Sequence, residues 1–153
     1  MKLFFFLQIL IRRKIKKAFP TVNLILSPAI GGIVVGYEVG RRLGVETIFA
    51  ERFDKRLILR RGFKIPENSK VLVVEDVITT GKSALECSKI IKKNKSEVVG
   101  YACIIDRSNN SVLIKQKIIS QIKFKIETFR EKELPDELKK ITPVKPGSRN
   151  LSK

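Results

Sequence analysis

The segment that most constrains this chain is VLVVEDVITTGKS at residues 71–83. Val71 to Val74 form an uninterrupted apolar run, the pattern of a strand buried on both faces of a parallel sheet. Two acids follow, Glu75 and Asp76, then a turn of small residues, then a helical pattern from about Lys82 to Lys93. A strand that passes through such a turn into a helix is the first half of a βαβ unit. In the turn, Gly81 lets the backbone approach a ligand closely, and Thr79, Thr80 and Ser83 supply hydroxyl donors. The helix that follows presents unpaired N–H groups at its positive dipole end. Together these make a phosphate cradle. A Walker A loop is excluded, because its G-x-x-x-x-G-K-[ST] pattern needs glycine where this chain has Asp76.

The flanking sequence repeats the strand–helix alternation. Residues 22–26 read as a strand ending at Ser27-Pro28, and Gly31-Gly32 opens a helix that ends near Gly44. Residues 46–51 and 97–105 read as further strands, the latter ending at Asp106-Arg107. The basic stretch 52–63 is a long loop or hairpin, with another strand at 122–129 and a charged helix near 131–140. The expected fold is α/β, a mostly parallel central sheet flanked by helices, in one domain spanning 1–153 with a tail from 142. Ligands of such sheets bind outside the carboxyl ends of the strands, where these polar residues collect.

Lys and Arg number 32 against 15 Asp and Glu, a formal charge of +17 that favours anionic partners. The absence of histidine removes His-based triads and His-ligated zinc. Two cysteines, Cys87 and Cys103, form no disulfide framework and suit a reducing, cytoplasmic setting as core residues. The apolar run KLFFFLQILI at 2–11 lacks a cleavage site and is too short to span a bilayer. It reads as part of an N-terminal helix, residues 1–17, normally covered by other protein, with membrane-surface association as the lesser reading.

Paired carboxylates beside a phosphate cradle would repel phosphate unless they address something else. A sugar's vicinal hydroxyls or a hydrated divalent cation are the groups that carboxylates bind. The plainer alternative is a strand-to-helix turn with Asp76 or a threonine as N-cap, which leaves the second acid and the apolar run unexplained.

At this point the chain resembles the type I phosphoribosyltransferases, whose phosphoribosyl pyrophosphate (PRPP) signature is similar to VVEDVITTGKS, and more specifically the orotate branch. The likeness extends to SPAIGGIVVGYEVGRRLG at 27–44, FAERFDKRLILRRGF at 49–63, IIDRS at 104–108 and PVKPGSR at 143–149. It implies the Rossmann-like fold of that family and Mg²⁺-dependent transfer of ribose 5-phosphate from PRPP to orotate, in pyrimidine biosynthesis. The PRPP-binding residues implied are Ser27, Ala29, Gly31 and Gly32 for pyrophosphate, Glu75 and Asp76 for the ribose, and Thr79, Thr80, Gly81, Lys82 and Ser83 for the 5′-phosphate. Val77 and Ile78, between the acids and that loop, are implied as PRPP-binding as well. Thr79 and Arg107 are implied at orotate. Arg52, Lys55 and Arg56 fall in the family's mobile catalytic loop, which reaches a neighbouring subunit's site and so implies a homodimer; with Asp76 they are the implied catalytic residues.

Mg²⁺ is expected to arrive on PRPP, near Glu75 and Asp76, with no direct protein ligand. Gly31 departs from the lysine that some members carry in the pyrophosphate loop. The family's members also carry an upstream segment that forms a hood over orotate and is expected to be missing before Met1, so PRPP binding is expected to survive better than turnover. The alternative function is a non-catalytic PRPP-binding remnant, or a PRPP-sensing regulator with nucleic-acid affinity. The chain offers no room for a DNA-reading domain, so nucleic acid is not an expected partner. Purine phosphoribosyltransferases are more distant still, because their base-recognition segments differ from IIDRS.

Overall fold

The structure is a computed structural model that describes residues 13–108, 112–127, 129 and 133–142. Its centre is a six-stranded sheet built from β1 (Leu24–Pro28), β2 (Glu46–Phe53), β3 (Arg56–Leu59), β4 (Lys70–Ile78), β5 (Glu97–Asp106) and β6 (Ile118–Lys123). The strand order is β3-β2-β1-β4-β5-β6, and every pairing is parallel except the β2–β3 hairpin. Helix α1 (Gly31–Leu43) connects β1 to β2, helix α2 (Lys82–Lys93) connects β4 to β5, and the short α3 (Asp136–Lys139) lies near the end of the described chain. The α/β sheet expected from the alternation of runs is the one observed.

Alternation along the strands divides the core into two layers. Leu24 and Leu26, Val71 and Val73, and Tyr101 and Cys103 pack with Ala84, Cys87 and Ile91 of α2. Ile25, Leu72, Val74 and Ala102 face the other way, onto Val39 of α1 and onto Ile15 and Phe19. Residues 13–18 are helical, and Ile15 is completely buried. Phe19 lies on β5 so closely that a Cβ at Gly100 would sit 2.3 Å from its ring. The start of the described chain is thus anchored in the core. Each fully buried aliphatic side chain contributes about 1.5–3 kcal/mol, and the inner strands, apolar on both faces, supply most of them.

Both helix boundaries of α1 and α2 agree with the sequence reading. Gly44, at φ 72°, ends α1 in the left-handed conformation that favours glycine. The charged helix expected near 131–140 is the shorter α3, which begins only after Pro135, a residue that disfavours helix in the one before it; two strands differ as well. The strand expected at 122–129 is β6, Ile118–Lys123, because parallel pairing with Tyr101 to Asp106 sets its register. Apolar residues recur through 118–126, at Ile118, Ile119, Ile122, Phe124 and Ile126, so the pattern alone does not fix which stretch pairs with β5. The strand expected at 70–74 continues to Ile78, which carries both acids inside β4. The apolar run at 2–11 and the tail from 143 onward lie outside the described residues.

Candidate active site

Strand order locates the crevice. β1 and β4 are neighbours, yet the connection from β1 leads outward to β2 and that from β4 leads outward to β5. This is the topological switch point at which doubly wound sheets bind ligands. The β1–β4 pairing stops at Leu26↔Val73, so Ser27-Pro28 and Val74 to Asp76 part company at the carboxyl edge. Both helices then start at this edge, α1 directly after the β1 loop and α2 directly after the β4 turn. Neither has a side-chain cap or an acidic residue in its first turn. The leading N–H groups of two helices are therefore left to bind anions at one crevice.

The two sides of the crevice touch at Gly31 and Asp76. A Cβ added to Gly31 would lie 2.2 Å from Asp76 Oδ2 and 2.7 Å from its Cγ, so a side chain at 31 would require the Asp76 carboxylate to shift from this position. The peptide between Ala29 and Ile30 is cis, and Ala29 N–H donates to Ala50 O at 2.8 Å, which ties the loop to β2. Ser27 behaves differently from a direct ligand. It is completely buried, its Oγ has no hydrogen-bond partner, and it lies beneath α1 where a Cβ on Gly36 would be 1.9 Å from it. Any part Ser27 takes in binding is through its backbone.

Glu75 and Asp76 sit on opposite faces of β4. Asp76 continues the row of Leu72 and Val74 toward the start of α1; Glu75 continues the row of Val71 and Val73 toward α2 and is paired in register with Cys103. Burial, with the neighbouring Asp76 charge adding to it, pushes the Glu75 carboxyl up to about 7. Neither acid has a hydrogen bond or an ion pair within the described protein, so both are free to address a ligand.

The phosphate turn is held from outside. Gly81, at φ 77°, takes the left-handed conformation that starts α2, and its amide region is roofed by Ile114, whose Cδ1 would be 2.7 Å from a Cβ there. Leu113 N–H donates to Thr80 O at 3.2 Å, and Lys82 N–H to Thr80 Oγ1 at 3.4 Å. Thr79, Thr80 and Lys82 are exposed, Val77 and Ser83 half-buried, and Ile78 is a core residue whose carbonyl accepts Arg107 N–H at 2.8 Å. Arg107 therefore starts beside Thr79. The contribution of residues 112–114 was not found from sequence, since nothing local links that segment to Gly81.

The basic stretch is a tight hairpin, not a loose loop. Phe53 pairs with Arg56 across Asp54 and Lys55, both at positive φ (44° and 62°), the backbone of a two-residue turn. Arg52 is drawn toward α2, with Nη1 3.0 Å from Glu86 Oε2 and donating to Lys55 O at 2.7 Å. Arg61 holds Glu51 through two hydrogen bonds of 2.8 and 3.1 Å, and Arg60 lies over the Phe53 ring at 5.2 Å. Lys55 and Arg56 stay exposed at the tip without an ion pair among the described residues. The structure brings Gly31 and Asp76 together at the edge where the 79–83 turn leads into α2, and Arg52 reaches that helix at Glu86, while Lys55 and Arg56 stand at the hairpin tip.

Cys87 and Cys103 are free, buried thiols, both pushed up by burial, Cys103 to about 12, which makes them poor nucleophiles. No helix among the described residues is long and apolar enough to cross a membrane. A shallow cavity lined by Asn23, Glu46, Glu67, Asn68 and Ser69 lies at the opposite edge of the sheet.

A switch-point crevice with two uncapped helix N-termini, a left-handed glycine turn and a carboxylate seated against a glycine loop makes this an α/β domain built to receive an anionic ligand. The phosphoribosyl transferase domain family matches residues 7–133. Orotate phosphoribosyltransferase of Methylorubrum extorquens is 47% identical over 136 residues, covering 88% of this chain and 69% of the relative. That of Caldanaerobacter subterraneus is 43% identical over 130 residues, 85% of this chain and 68% of the relative. Among solved structures, adenine phosphoribosyltransferase from Thermoanaerobacter pseudethanolicus has a TM-score of 0.70 at 20% identity, covering 80% of this chain and 81% of that one. Orotate phosphoribosyltransferase from Aeropyrum pernix has a TM-score of 0.63 at 18% identity, covering 80% and 72%. These structural likenesses speak for the fold alone. By its sequence relatives, the chain belongs to the orotate phosphoribosyltransferase family.

Proposed function

We propose that this chain is an orotate phosphoribosyltransferase, which joins orotate to the ribose 5-phosphate of PRPP, releasing pyrophosphate and giving orotidine 5′-phosphate in pyrimidine biosynthesis. The observation that carries this reading is the contact of Gly31 with Asp76, which sets a backbone loop for a diphosphate directly beside an acid suited to ribose hydroxyls. The 5′-phosphate then takes the N–H groups of the 79–83 turn and the hydroxyls of Thr79, Thr80 and Ser83. A ring nitrogen of orotate displaces pyrophosphate at the anomeric carbon. As the N–C1′ bond forms and the C1′–O bond to pyrophosphate breaks, the proton of the attacking ring N–H passes to the departing pyrophosphate or to water, so no histidine base is required. Positive charge on the ribose and negative charge on the leaving group call for positioning and N–H donors more than for proton transfer.

Mg²⁺ is proposed as a companion of the diphosphate. Glu75 and Asp76 are two carboxylates without protein partners, a donor set that fits a cation bringing most of its own oxygen ligands; no group of three or more candidate ligands occurs among the described residues. Bound there, the cation would neutralise charge on the leaving diphosphate. Lys55 and Arg56, exposed on the hairpin tip, suit a role in a partner subunit's site; a homodimer sharing its hairpins in trans accounts for cations that stand away from their own crevice. Free thiols fit a reducing, cytoplasmic setting.

The test is calorimetric titration with PRPP and Mg²⁺. Gly31 has no left-handed φ, so Gly31→Ala is compatible with the backbone, but its methyl group displaces Asp76. PRPP affinity is expected to fall about tenfold or more while the thermal midpoint holds. Undiminished affinity in Gly31→Ala contradicts the assignment of this crevice to PRPP.

A further inference from the structure

The turn that follows β5 has a construction that the reaction scheme leaves unused. Asp106 and Ser108 are 4% and 9% exposed, while Arg107 between them is exposed. Asp106 Oδ1 accepts the Ser108 N–H at 2.8 Å and also the Ser108 hydroxyl. A carboxylate bonded to the backbone two residues ahead closes an Asx turn, which fixes the residue in the middle. Two further backbone bonds hold the same turn from either side. Arg107 N–H donates to Ile78 O at 2.8 Å, and Phe124 N–H donates to Asp106 O at 2.9 Å. The Arg107 side chain therefore leaves the backbone from a point defined by β4, β6 and its own two neighbours.

The charges are arranged to the same end. An adjacent aspartate is the obvious partner for an arginine, yet Asp106 is engaged elsewhere. Its Oδ1 belongs to Ser108 and its Oδ2 faces Lys123 Nζ at 3.6 Å. Arg107 has no ion pair among the described residues, so its guanidinium, with its planar fork of donors, is left for an anion from outside.

We infer that Asp106 and Ser108 are positioning residues, which fix Arg107 beside Thr79 and keep its guanidinium unpaired for the carboxylate of the incoming base. This rests on the orotate reading above. It assigns selection of an acidic pyrimidine to the Asp106–Ser108 turn as well as to the arginine.

The experiment uses the full chain with orotate and PRPP as probes. Ser108→Ala is expected to raise the KM for orotate about fivefold, the net effect of losing one ordinary hydrogen bond, with kcat and the KM for PRPP unchanged. Ser108→Thr, which keeps the hydroxyl, restores the orotate KM. Added to Arg107→Ala, Ser108→Ala brings no further loss, because it acts only through that arginine. Independently of any substrate, ¹⁵N relaxation of the Arg107 Nε group shows a lower order parameter in Ser108→Ala than in the wild type. A full additional penalty in the Arg107→Ala background, or equal Arg107 order with and without the Ser108 hydroxyl, overturns the inference. If the wild type does not consume orotate, the functional reading falls, and the relaxation comparison still decides whether the turn positions Arg107.

Discussion

Glu75 and Asp76 are neighbours in sequence with opposite surroundings, and each gives the site a separate property. Asp76 lies in the space that a side chain at Gly31 would take, so a methyl group there would require it to shift. Glu75 faces the α2 layer, where desolvation and the Asp76 charge push its carboxyl from 4.5 up to about 7. A carboxyl whose folded value lies above its unfolded one binds its proton more tightly in the native state. Its contribution to stability is complete below about pH 4.5 and is lost as pH rises through about 7. Urea denaturation of wild type and Glu75→Gln across this range is expected to diverge, the wild type losing about 2–3 kcal/mol relative to the variant. Parallel curves contradict the burial argument. Ser27 offers a second test at this scale. Its buried hydroxyl has no partner and presses toward Gly36, so Ser27→Ala is expected to leave stability unchanged or raise it by up to about 1 kcal/mol. Turnover should persist, because only the Ser27 backbone faces the site. A thermal midpoint that drops sharply, or loss of PRPP binding, would show that the hydroxyl has a task the fold conceals.

At the scale of elements, the β2–β3 hairpin is the part whose form and role must be separated. Its turn places Asp54 and Lys55 at positive φ, where neither residue type is at its most stable. Lys55→Gly is expected to stabilise the fold by about 0.5–1 kcal/mol, by removing that conformational cost. If the Lys55 cation serves the reaction, turnover falls while the melting temperature rises, and Lys55→Arg retains most of the activity. Equal turnover in all three proteins removes Lys55 from the catalytic residues. The elements themselves were legible to different degrees. VLVV, the 82–93 helix and the Gly44 stop are written in local sequence, because burial on both faces, helical spacing and a left-handed cap each leave a short-range mark. β6 was displaced by several residues, since its position is set by hydrogen bonds to β5 rather than by its own pattern.

Over the whole molecule, the site is an arrangement of non-local contacts on a legible frame. The turn at 79–83 and its acids could be read from one segment. The meeting of Gly31 with Asp76, the Ile114 roof over Gly81 and the burial of Ser27 under Gly36 could not, for each joins segments remote in sequence. The proposed orotate contact divides the same way. Arg107 was read from IIDRS, whereas the Asx turn that holds it, and the Lys123 that occupies Asp106, required the sheet to be assembled. The excess of positive charge, +17 in all, suits the anionic ligands proposed for this crevice, a diphosphate, a phosphate and a carboxylate.

The most direct test of the proposed activity follows the ultraviolet absorbance of orotate when this 153-residue chain is mixed with orotate, PRPP and Mg²⁺, beside an Asp76→Asn control. A PRPP-dependent fall in absorbance that the control abolishes is the predicted result. A folded protein that binds PRPP and leaves orotate untouched would contradict it, and would make this chain a PRPP-binding domain without the transferase reaction.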